Sequence, residues 1–236
     1  MATRGVLMIK ENKQDIYSVL TGDIVKSAKL DPVNLKVVIQ SIKDGQARFN
    51  KAYPGAMIGQ VDIFSGDSWQ VLMEHVHLSV RAVLYFRAVV KAVKNLNADT
   101  RIALAWGQID ESTINPERIS ESTGEAFTLS GRALAEMNKS RRLIMKTPDT
   151  AVKNKLNDYA FLSYTLLLLE EITDNWTEKQ AEAIIPALLG VKQKTIAAEL
   201  GKVQSTVNKR LNGAGWKNLS QYLDLIEYRL KGRCSI

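Results

Sequence analysis

Hydrophobic and polar positions change period several times along this chain, and each change marks an element. Ile16 to Asp23 alternates and ends at a Gly22-Asp23 corner, which predicts a strand. Asp31-Pro32 then offers an N-cap acceptor followed by a proline at the first helical position, and Leu35, Val38, Ile39 and Ile42 follow at helical spacing. Tyr53-Pro54-Gly55 reads as a turn. Ile58 to Ser65 and Ser68 to Leu72 predict a hairpin closed around Ser65-Gly66-Asp67. Val76 to Val93 carries an apolar stripe of Val76, Val80, Val83, Leu84, Val90 and Val93, the mark of a long amphipathic helix. Arg101 to Trp106 alternates again up to Gly107, Glu125 to Met137 predicts a helix, and Leu143 to Lys146 a last short strand. The order βαββαβαβ implies an α/β (α+β) sandwich, with helices covering one face of a mostly antiparallel sheet.

Beyond residue 150 the pattern is helical throughout. A connecting helix is expected from Ala151 to about Ile172, and its middle, Tyr159 to Leu169, is apolar on nearly all sides. Such a helix is buried, either between two parts of this chain or in a dimer seam. Thr177-x-x-Gln180 has the form of a capping box and opens a new unit. The expected division is residues 1–150, a connecting helix over 151–174, and a helical domain over 175–236.

Within that last unit, Gln193 to Leu211 has the spacing of a helix-turn-helix. Ile196, Leu200, Val203, Val207 and Leu211 form a stripe across two helices, Ala197 is small where they cross, and Gly201 accepts the positive φ of the turn. The second helix then presents Gln204, Ser205, Thr206, Asn208, Lys209 and Arg210, side chains suited to base edges and phosphates. Supporting helices are expected at Thr177 to Leu189, with Pro186 kinking it, and at Leu219 to Leu230. The segment resembles the C-terminal helix-turn-helix of many bacterial regulators, including the tetrahelical kind of sigma-like proteins.

Charge agrees with this placement. The 236 residues carry 32 Lys and Arg against 25 Asp and Glu, a net +7. From Asp174 onward there are ten basic and six acidic residues, so +4 falls in the last 63 residues, the side expected to meet phosphate. Gly and Pro number only 14 and 5, as in a globular chain. Met1 to Lys13 lacks the apolar core and cleavage site of a signal peptide, and Tyr164 to Leu169 is too short for a membrane span, so a cytoplasmic protein with no membrane partner is expected. One cysteine, Cys234, permits no internal disulfide. The only histidines, His75 and His77, are too few for a zinc site and read as solvated or core residues; Trp69 and Trp106 read as core aromatics.

A different chemistry is suggested by Thr21-Gly-Asp-Ile-Val-Lys-Ser27, Phe64-Ser-Gly-Asp-Ser-Trp-Gln70, Arg101-Ile-Ala-Leu-Ala-Trp-Gly107, Ile114-Asn-Pro-Glu-Arg-Ile119 and Gly124-Glu-Ala-Phe-Thr-Leu-Ser-Gly-Arg132. One Asp closes the first strand and another sits at a hairpin tip. If the two elements are neighbours, Asp23 and Asp67 converge, and paired carboxylates suit Mg²⁺ and a polyphosphate. Arg132 is placed to meet phosphate charge. The order of these pieces, from roughly Tyr17 to Leu134, resembles the SatD family of bacterial proteins, and more distantly the class III nucleotidyl cyclase and GGDEF palm domain. The resemblance implies a ferredoxin-like palm, often dimeric, with metal-binding Asp23 and Asp67 and with Thr128 and Arg132 at the positions of a transition-state Asn and Arg. The chain departs from it in three places: Thr128 stands for the Asn, Ile63 for a purine-recognising Lys, and Ser68-Trp69 for an acid and an aromatic. The expectation is a DNA-binding homodimeric regulator whose palm senses a ligand or dimerises. The alternative is a Mg²⁺-dependent nucleotidyl cyclase or transferase.

Overall fold

Strand β1 (Tyr17–Ile24) lies at the centre of the sheet because both of its faces are apolar: neighbouring Val19 and Leu20, pointing to opposite sides, are each fully buried. The computed structural model describes residues 16–234, with 149–160 and 232–234 described by their backbone alone. Met1 to Lys13 and the Cys234 side chain lie outside the described residues. The remaining strands are β2 (Met57–Phe64), β3 (Ser68–Met73), β4 (Thr100–Gly107) and β5 (Leu143–Lys146), in the order β2-β3-β1-β4-β5. All neighbours are antiparallel except β4 and β5. The chain order βαββαβαβ is the one expected, and β2-β3-β1-β4 is the strand order of a ferredoxin-like sheet.

Helices α1 (Pro32–Ala52) and α2 (Ser79–Lys91) cover one face. Asp31 caps α1 as expected, its carboxylate accepting from the Val33 and Asn34 N–H groups at 2.9 Å. Val38, Ile42 and Phe49 of α1 pack with Leu20, Trp69 and Leu104 of the sheet. Residues Val76–Leu78 make a 3-10 turn, so α2 begins at Ser79 rather than at Val76. Helix α3 (Glu125–Glu136) covers the opposite face, with Ala126 and Phe127 on Val19 and Leu72, and Ala133 and Leu134 on Ala103. This corrects the expectation of a single covered face. The odd-numbered positions Val19 and Thr21 of β1 are as buried as the even-numbered Leu20, and a strand buried on both sides needs cover on both.

Past β5 come α4 (Asp149–Asp174), α5 (Glu178–Leu188), α6 (Gln193–Glu199), α7 (Gln204–Gly213) and α8 (Trp216–Cys234). The Thr177–Gln180 capping box is formed, and Pro186 lies in the last turn of α5, which ends at Leu188. One apolar cluster runs unbroken from Leu20 and Phe86 of the palm through Leu166 and Ile184 to Leu223 and Leu230 of the helical part.

Two buried arginines of α2 fasten that junction. Arg87, 0% exposed, donates to both Asp99 oxygens (3.0 and 2.8 Å), to Thr173 Oγ1 (2.6 Å) and to Asp174, tying the end of α4 to the turn before β4. Arg81 forks onto Glu227 of α8 (2.6 and 3.1 Å) and donates to the Leu188 carbonyl at the end of α5 (3.1 Å). Helix α4 turns Leu162, Leu166 and Leu169 into the core, while Phe161, Tyr164 and Leu168 stand 55%, 70% and 68% exposed on its other side. Among the described residues no helix is long and apolar enough to cross a membrane.

Candidate functional site

The segment expected to form a helix-turn-helix consists of α6, a turn through Gly201 and α7. Gly201 takes φ +59°, a left-handed conformation that costs other residues free energy, and its N–H closes onto Ala198. Ile196, Val207 and Leu211 are buried, as the stripe required, Leu200 is half-buried, and Ala197 is buried where the two helices cross. Val203 is not; it caps α7 and is 66% exposed, because the turn ends one residue before the helix rotates its apolar side inward. Trp176 donates its indole N–H to the Ala214 carbonyl (2.9 Å), which fixes the end of α4 to the α7–α8 turn.

The predicted contact residues of α7 fall into two groups. Gln204, Ser205, Asn208 and Lys209 are exposed on one open side, with Lys202 beside them in the turn, and Thr206 is half-buried at its margin. Arg210 was expected on the open face but is turned inward. Its Nη1 lies 2.7 Å from Glu182 of α5, and its side chain is 13% exposed. The reason is helical geometry: Arg210 follows Val207 by three positions and shares its inward side. Sequence reasoning missed Glu182 as its partner, although an acid on the supporting helix facing a basic residue is the signal to look for.

On the palm, the alternation of β1 sends Tyr17, Val19, Thr21 and Asp23 to the α3 side. There Thr21 donates to Ser130 Oγ of α3 (2.8 Å) and accepts from Gln70 Nε2 (2.8 Å). Asp23 pairs in register with Ser68 on β3 and Arg101 on β4. A hollow of about 440 Å³ opens here, lined by Asp23, Ser68, Gln70, Arg101 and Ser120. The structure does bring Asp67 next to the end of β1, since its carbonyl accepts from the Ile24 N–H (3.2 Å). It also supplies a cation that was not anticipated. Arg101 grips Asp23 bidentately, Nε to Oδ1 at 2.9 Å and Nη2 to Oδ2, and its Nη1 reaches the Met137 carbonyl (3.3 Å). The Asp23 hydrogen bond, outweighing burial and helped by the charges of Asp23 and Asp67, raises the Arg101 pKa above its ordinary value. Asp67 accepts from the Ser27 hydroxyl.

As held, this pair does not fit a metal: both Asp23 oxygens are taken by a guanidinium. Among the described residues no group of three or more His, Cys, Asp or Glu side chains is placed to hold a metal ion. Arg101 stood in view as the first residue of an alternating strand, in register with Asp23 and so on its face; only the strand pairing was missing. Thr128 and Arg132 are not gathered into the site. Both are exposed on α3, Thr128 bonding back to the Gly124 carbonyl (3.1 Å), whereas Gly131 and Leu134 face the hollow.

The other candidates are structural. Trp69 is fully buried with its indole N–H on Thr100 Oγ1 (3.1 Å), and Trp106 donates to Ser79 Oγ (3.0 Å). His75 and His77 stack with ring centroids 5.5 Å apart, and burial, then the charges of His75 and Lys231, lower the His77 pKa.

No family model matches this chain, and no curated protein does. Among solved structures it is similar to the guanylyl cyclase Cya2, at 15% identity over 58% of this chain and 77% of that one, with a TM-score of 0.41. It is also similar to a bacterial light-regulated adenylyl cyclase, at 17% identity over 59% of this chain and 44% of that one, again with a TM-score of 0.41. The likeness is one of sheet and helix arrangement and extends no further.

Proposed function

We propose that this protein is a DNA-binding transcriptional regulator that reads DNA with α7. One observation carries the reading: α7 buries its apolar residues Val207 and Leu211 in a helical support and leaves Gln204, Ser205, Asn208 and Lys209 together on an open side. Amides, a hydroxyl and an ammonium on one helix face match the donor and acceptor pattern of a major groove. Lys202 in the preceding turn adds a phosphate contact. The palm is then the sensing or dimerising half, and Phe161, Tyr164 and Leu168 of α4 supply a seam for a homodimer. The test is selection of bound duplexes from a random pool by the full chain. A recurrent half-site is expected, and Asn208→Ala should relax preference at one base pair, worth about 1–3 kcal/mol. Recovery of unenriched sequence would overturn the reading.

A second reading, a nucleotidyl cyclase- or transferase-like enzyme using Asp23 and Asp67 with Mg²⁺, has on its side Asp23 in the lining of the hollow and the Asp67 backbone bonded to the end of β1. It requires Arg101 to release Asp23. The second reading predicts Mg²⁺-dependent consumption of a nucleoside triphosphate, and the DNA-binding reading does not. Turnover that Asp23→Asn abolishes supports the second reading instead.

A further inference from the structure

A groove of about 950 Å³ lies where α1 and α2 of the palm meet α5 and α6 of the helical domain. Its floor is apolar, built from Val89 of α2, Val93 in the turn after it and Ile185 of α5, with Leu200 at the end of α6 and Ala52 at the end of α1 on its walls. Its rim is cationic: Arg48 and Lys51 from α1 and Lys94 from the turn after α2 all border it and are exposed. Two carboxylates also line it. Glu182 is neutralised by Arg210 at 2.7 Å, which leaves Glu199 against three cations. Clefts between domains, apolar inside with a few charged groups at the mouth, are the usual form of small-molecule sites, and the volume lies in their range.

We infer that this groove binds an aliphatic carboxylate, the chain lying along the valine and isoleucine floor and the head group meeting Arg48, Lys51 and Lys94. Charge selects this class. A cationic amphiphile is repelled by the rim, a neutral alcohol leaves the three cations unanswered, and a bare phosphate gains nothing from the floor. The groove also touches the DNA-reading machinery: Glu182 in its wall holds Arg210 of α7, and Leu200 opens the turn to α7. An occupant that moves Glu182 changes how α7 is supported, so the ligand acts as an effector. That consequence rests on the proposed DNA binding; the site itself does not.

The experiment is isothermal titration of the full chain with decanoate, alongside 1-decanol and decyltrimethylammonium. Decanoate is expected to saturate one site. Ala52→Trp, which fills the wall from an exposed position, should abolish the heat, and Arg48→Ala with Lys94→Ala should weaken binding about tenfold. Circular dichroism establishes that these variants are folded. Absence of saturable decanoate binding, equal binding of decyltrimethylammonium, or indifference to both variants overturns the site. DNA affinity is then compared with and without saturating decanoate. A shift of about fivefold or more, absent in Ala52→Trp, is expected for an effector. Unchanged DNA affinity with decanoate bound overturns the effector role, and failure to bind DNA at all counts against the proposed function while leaving the groove's assignment to the titration.

Discussion

Gly22 shows how closely the palm is fitted at the level of single residues. A Cβ placed there would sit 2.4 Å from the Trp69 ring, and Trp69 is fixed by its own bond to Thr100. Gly22→Ala should therefore cost about 1–3 kcal/mol by overpacking, visible as a lower urea midpoint with an unchanged slope. A neutral substitution would mean that Trp69 relocates freely. His77 gives a pH test. Burial first, then the charges of His75 and Lys231, lower its pKa from 6.5, so the folded state binds its proton less readily than the unfolded chain. Its contribution is complete above about pH 6.5 and is lost as the pH falls below that value. His77→Asn should flatten the loss of stability between about pH 6.5 and pH 5 in thermal melts; an unaltered slope would contradict the assignment.

At the scale of elements, patterns that depend on one segment were legible and those that depend on pairing were not. The apolar stripes, the Asp31 cap and the Thr177–Gln180 box place α1, α3, α5 and the two helices of the turn motif within a residue or two of where they lie. The inward turn of Arg210 and the grip of Arg101 on Asp23 depend on which element lies opposite, which one-dimensional periodicity does not encode. The same holds for Arg87, an arginine within an apolar helix, whose partners come from the Asp99 turn and the end of α4. Burial works against the charges of Arg87 and Asp99, yet their mutual hydrogen bonds prevail: the Arg87 pKa is raised and the Asp99 pKa is lowered. Removing Arg87 takes the paired donor from both Asp99 oxygens and from Thr173 Oγ1, and leaves Asp99 with the more distant Arg142 and Lys91 at 3.4 and 4.0 Å. Arg87→Ala should thus cost about 3–5 kcal/mol in denaturant unfolding, and a loss below about 1 kcal/mol would show that the network contributes little.

For the molecule as a whole, the shared core decides which experiments are informative. Leu223, Ile226 and Leu230 of α8 belong to the same cluster as Leu84 and Phe86 of the palm, so truncation before α5 would expose that core as well as remove the proposed DNA-contact residues. Point substitutions on exposed residues avoid this. Tyr164→Glu with Leu168→Glu, both on the open side of α4, should weaken a dimer at least about tenfold in sedimentation velocity without lowering the melting temperature. A sedimentation profile identical to that of the unsubstituted chain would remove α4 as the seam.

The central claim, that α7 faces DNA, is tested most directly by the salt dependence of binding to a selected duplex. Lys209 is exposed on the open side of α7, whereas Arg210 is held by Glu182. Lys209→Ala should lower the slope of log affinity against log salt by about one unit. Glu182→Gln, which frees Arg210, should leave that slope unchanged or steepen it. A slope that is the same in Lys209→Ala as in the unsubstituted protein would contradict the account, because the helix would then stand away from the phosphates.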